Sequence, residues 1–73
     1  MKLSTLVAQQ PFEILNASVM FKRGEVLYAS SEGYKENEEA ENVYYNVYNE
    51  SGEFITIIEQ EYYNDLLEHV IIN

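Results

Sequence analysis

Two β-rich runs flank one turn between Asn42 and Glu61, and this pattern constrains the chain more than any other stretch. In NVYYNVY, Val43, Tyr45 and Val47 fall on one side of an extended backbone and Tyr44, Asn46 and Tyr48 on the other, because strand side chains alternate. The second run, Phe54-Ile55-Thr56-Ile57-Ile58, is β-branched and aromatic, which suits a pleated, half-buried surface. Between them lies Asn49-Glu50-Ser51-Gly52-Glu53, where Gly52 can take the positive φ of a tight turn with a G1 bulge. A hairpin over about 42–60 follows. Because a lone hairpin is only marginally stable in water, other elements must cover it.

The rest of the chain is read around that hairpin. Leu3, Leu6, Val7 and Gln10 fit one face of a short N-terminal helix, with Ser4 as N-cap and Pro11 ending it. Residues 13–21 read as a strand, Lys22-Arg23-Gly24-Glu25 as a turn, and Val26–Ala29 as the returning strand. These make a second hairpin over about 13–29. Ser30 to Glu41 (SSEGYKENEEAE) is a polar loop, with one helical turn capped by Asn37 expected near 38–41. Tyr62 to Ile72 reads as a C-terminal helix, although 70–72 could finish as a strand. The expected fold class is therefore α+β: a small antiparallel sheet of two hairpins between a short N-terminal and a C-terminal helix. The 73 residues make a single small acidic domain.

Composition narrows the chemistry. There is no cysteine, so disulfides and thiolate metal sites are excluded, and a reducing, cytoplasmic setting fits. No apolar run approaches a membrane span, and Met1 to Ala8 has too short an apolar patch to be expected to act as a signal peptide. The only histidine, His69, lies four residues from Asp65, which on a helix is the spacing of an ordinary surface pair. No nucleophile motif accompanies it. Glu36, Glu38, Glu39 and Glu41 lack the spacing and the glycine of a calcium loop. The three glycines are too scattered to cradle a phosphate. Neither a catalytic constellation nor a cofactor or metal site is expected.

Charge points to a partner. The formal net charge is −9. Residues 1–35 hold all four basic side chains against Glu13, Glu25 and Glu32, whereas residues 36–73 carry ten acids and no lysine or arginine. Such a field repels nucleic acid and anionic membranes and speeds encounter with basic surfaces. Glu59 and Glu61, as alternate residues on a strand, would stand roughly 6.6 Å apart and present a row of charge as a nucleic-acid backbone does. Seven tyrosines exceed what so small a core can bury, and tyrosine is enriched at binding hot spots.

In size, charge and tyrosine content the chain resembles the small, acidic, cysteine-free inhibitors that bacteriophages make against host DNA-binding proteins. Uracil-DNA glycosylase inhibitors and several anti-CRISPR proteins are of this kind. The resemblance covers those three properties, and no stretch carries a family signature. The expected function is a non-enzymatic protein that binds and blocks a basic, nucleic-acid-binding protein, as a DNA mimic does. Glu36, Glu38, Glu39, Glu41, Glu50, Glu53, Glu59 and Glu61 would supply charge, with Tyr44, Tyr48 and Tyr63 as anchors. The alternative is a structural or oligomerising accessory module, possible as a homodimer, acting through apolar sheet contacts.

Overall fold

The computed structural model describes residues 2–73. Five strands form one antiparallel sheet: β1 (Leu3–Ala8), β4 (Val26–Ser30), β5 (Tyr44–Tyr48), β6 (Phe54–Glu59) and β7 (Val70–Ile72). Their order is β6-β5-β4-β1-β7. Two further strands, β2 (Phe12–Ile14) and β3 (Val19–Phe21), pair with each other, and a single 3-10 turn (Leu15–Ala17) joins them. One helix, α1 (Gln60–Leu67), links β6 to β7.

This mostly-sheet fold corrects the expectation at both ends of the chain. Residues 3–8 are a strand and not a helix. Leu3, Leu6 and Val7 match helical spacing, but burial alternates along the strand: Leu6 and Ala8 are buried, Thr5 and Val7 only half-buried and Leu3 exposed. Strand β1 pairs with β4 on one side and β7 on the other, so tertiary hydrogen bonding overrides a helix too short to stand alone.

The second hairpin is also different from expectation. The run 13–21 folds back on itself at Ser18, whose φ of 52° and ψ of 40° put it in the left-handed region. Phe12 then pairs with Phe21, the rings stacked 5.2 Å apart. The turn at 22–25 forms as expected, closed by Glu25 N–H to Lys22 O at 3.0 Å and by Lys22 N–H to the Glu25 carboxylate at 2.7 Å. It delivers β4 to β1 and β5, however, and not back onto 13–21.

The central hairpin stands where the alternation placed it. Tyr45 pairs with Ile58 and Val47 with Thr56, with a bulge between Val47 and Tyr48. Gly52 takes φ 85° in the turn, and Asn49 N–H donates to Glu53 O at 2.9 Å. The helix is shorter than the run 62–72: it ends at Leu67, and 70–72 is strand. The loop 30–41 has a turn and no helix at its acidic end, where Asn37 Oδ1 accepts from Glu39 N–H at 3.0 Å.

Helix α1 packs on β5, β6 and β7. The buried core holds Leu6, Leu27, Ala29, Val47, Ile58, Leu66 and Val70, together with Tyr45 and Tyr63. Among the described residues no helix is long and apolar enough to cross a membrane.

Candidate functional site

Two adjoining cavities open beside the end of β6, and they share Asn16, Ile58 and Tyr62. The first, about 430 Å3, is lined by Phe12, Ile14 and Leu15 from the β2 segment and by Tyr62 and Leu66 from α1, with Glu13, Asp65 and His69 also in its wall. The second, about 330 Å3, is lined by Tyr34 and Glu36 from the 30–41 loop, Tyr44 from β5, and Ile57 and Glu59 from β6. Together they form one groove with apolar and aromatic walls and four acids.

Local sequence explains why the groove exists. The 3-10 turn holds Leu15 79% exposed beside β6, and Asn16 Nδ2 donates to Ile57 O at 3.3 Å, tying the turn to that strand. On α1, Tyr63 and Leu66 face the core while Tyr62, 60% exposed, stands over the groove. Tyr34 is fixed by reciprocal backbone bonds with Tyr44 (3.0 and 2.8 Å), and its hydroxyl donates to Asn46 Oδ1 at 2.7 Å. His69 stacks on Phe12 with ring centroids 5.8 Å apart, and its Nδ1 bonds the Gln10 side chain. Asp65 lies in the same cavity wall, but the hydrogen bond of His69 goes to Gln10 and not to Asp65.

None of Lys2, Lys22, Arg23 and Lys35 lines either cavity, so the negative rim has no internal counter-charge. No group of three or more His, Asp or Glu side chains among the described residues is placed to hold a metal ion.

The expected site residues do not converge on one place. Tyr44, Glu36 and Glu59 meet in the second cavity. Glu38, Glu39 and Glu41 follow Glu36 along the exposed loop, and Glu61 is exposed in the first turn of α1. Tyr48, Glu50 and Glu53 belong to the other end of the hairpin, roughly 13 Å away along β5 at 3.3 Å per residue. There Tyr48 packs edge-on against Phe54, with ring centroids 5.8 Å apart.

Two expectations fail on geometry. Tyr63 is no surface anchor: it is 7% exposed and stacked on Tyr45. Its burial, with a smaller contribution from the Tyr45 phenol, pushes its pKa above the ordinary value. Glu59 and Glu61 do not form a strand-spaced row of charge, because the helix begins at Gln60 between them.

Sequence reasoning missed Tyr34, Tyr62, Leu15 and Asn16. For Tyr62 local pattern does not decide: Leu66 is four residues from Tyr62 and three from Tyr63, so either tyrosine could share its face, and the stacking of Tyr63 on Tyr45 leaves Tyr62 outside. Tyr34 and Leu15 reach the groove through long-range contacts that local pattern does not encode. Comparison with family models, with curated proteins and with solved structures finds no match to the chain.

Proposed function

We propose that this chain is a non-enzymatic acidic binding module that captures a basic segment of a protein partner in the groove between the 3-10 turn, β6 and α1. One observation carries the reading: an aromatic, apolar groove carries Glu13, Glu36, Glu59 and Asp65 in its wall and no lysine or arginine. Aromatic area supplies anchoring, and the acids supply encounter rate and selectivity for cationic partners. Nucleic-acid-binding proteins present basic surfaces of this kind, so a partner of that class, once held, would have its nucleic-acid contact blocked.

Peptide selection from a random displayed library against the folded chain tests this without naming the partner. Enriched sequences with Lys or Arg beside apolar residues, eluted by salt, support it. Enrichment of uncharged or acidic sequences, or binding indifferent to salt, overturns it.

The structural-module alternative draws on a different feature. The two outer strands of the sheet expose Phe54 and Ile57 on β6 and Ile71 and Ile72 on β7. Self-association through them would bring together two chains of formal charge −9, which mutual repulsion opposes. A salt-resistant dimer in sedimentation would favour this reading over capture.

A further inference from the structure

We infer that the second cavity is an arginine cage, taking the guanidinium group of an arginine side chain that the partner presents. The inference rests on the capture reading and narrows it to one side chain in one pocket. Three tyrosine rings (Tyr34, Tyr44, Tyr62) and two carboxylates (Glu36, Glu59) line a space of about 330 Å3. Aromatic faces attract cations, and carboxylates accept paired hydrogen bonds from a planar guanidinium.

Two of the three rings, Tyr34 and Tyr44, are held in place before any ligand arrives. Tyr34 and Tyr44 sit 6.3 Å apart and tilted by 42°, a wedge and not a closed stack. Their backbones bond each other, the Tyr34 hydroxyl is engaged by Asn46, and the Tyr44 hydroxyl accepts from Asn42 Nδ2 at 3.4 Å. A ligand therefore has little to order at these two rings, which favours affinity.

Arginine fits better than the other cations. Its guanidinium is planar, delocalised and weakly hydrated, so it enters a partly apolar space with less loss than a lysine ammonium and stacks on tyrosine. A hard divalent ion needs several oxygen ligands, and two carboxylates among three rings do not provide them. The adjoining cavity is walled by Phe12, Ile14, Leu15 and Leu66, which suits an apolar residue beside the arginine.

The test is a heteronuclear NMR titration of the full chain with N-acetyl-arginine N-methylamide, with its lysine and trimethyl-lysine counterparts, and with the neutral isostere N-acetyl-citrulline N-methylamide. The arginine probe is expected to shift Tyr34, Tyr44, Glu59 and Tyr62, the lysine probes to bind several-fold more weakly, and citrulline to leave the spectrum unchanged. Tyr62→Ala and, separately, Glu59→Gln should each weaken arginine binding about tenfold, the scale of a desolvated cation–π or charge-assisted contact. Glu50→Gln, at the far end of the hairpin, should not.

Equal binding of citrulline, tighter binding of trimethyl-lysine, shifts spread over Glu38–Glu41 and Glu50–Glu53, or no localised shift at all would each overturn the cage. If selected basic peptides bind but ignore both Tyr62→Ala and Glu59→Gln, the cage fails and the capture reading stands. If selection returns no basic peptides, the capture reading itself fails.

Discussion

Tyr63 lies face to face on Tyr45, with ring centroids 3.7 Å apart and planes within 3° of parallel. Ring quadrupoles alone favour offset or edge-on pairs, so this overlap is imposed by its surroundings. Tyr45 sits on β5 with its hydroxyl donating to Gln60 Oε1 at 2.9 Å, and Tyr63 rides on the helix that Gln60 begins. The stack joins the helix to the sheet. Tyr63→Ala should therefore lose about 3–5 kcal/mol, as large-to-small changes at buried aromatics do. A domain of this size has roughly 4–11 kcal/mol in total, so that variant should be largely unfolded by mild urea. Tyr63→Phe keeps the ring and should stay close to wild type.

The same phenol gives the fold a high-pH limit. In the folded chain Tyr63 holds its proton more tightly than at the ordinary value of 10.0, mainly through burial and secondarily through Tyr45. Above that value the unfolded chain releases the proton first, so stability present below it is lost as pH rises. Thermal unfolding followed from neutral pH to beyond 10 should show a falling midpoint only at the alkaline end. Tyr63→Phe should flatten that fall, and an unchanged profile in the variant would assign it elsewhere.

How much of this was legible before the structure depends on where each signal lived. Tyr45 and Val47 alternate with polar or half-exposed neighbours over the length of a strand, and Gly52 marks the turn, so the central hairpin could be read locally. The 3–8 strand could not. Thr5 and Val7 favour a strand and Leu3, Leu6 and Val7 permit a helix, and only pairing with Ser30–Val26 on one side and Val70–Ile72 on the other decides between them. Glu36, Glu59 and Asp65 were visible as part of a charge bias over 36–73, and Glu13 was not. Which of them face one another was not, because Glu13, Glu36, Glu59 and Asp65 come from four separate segments.

Gly33 is needed for room and not for backbone freedom. A Cβ there would stand 2.1 Å from Val43 Cγ1 and 3.0 Å from Tyr45 Cζ. Valine is stiff at χ1, and Tyr45 is held in the stack, so neither yields cheaply. Gly33→Ala should cost about 1–3 kcal/mol, the range of overpacking in a filled core. Chemical denaturation of the variant checks it, and wild-type stability would show that Val43 moves freely.

Self-repulsion among the acids of residues 36–73 should make the fold more stable in salt. Adding sodium chloride shortens the Debye length and screens like charges without removing any buried contact. The melting midpoint is expected to rise with ionic strength, and a falling midpoint would mean that attractive ion pairs dominate instead.

The most direct measurement of the central claim is the affinity of a selected arginine-containing peptide for the chain, titrated from roughly 0.01 to 0.15 M salt, over which the Debye length falls from about 30 to 8 Å. If the acidic groove captures cations, affinity drops at least about tenfold across that range, and Glu36→Gln with Glu59→Gln lowers both the affinity and its salt dependence. Affinity that holds constant across the range, or that the double variant leaves untouched, would contradict the account.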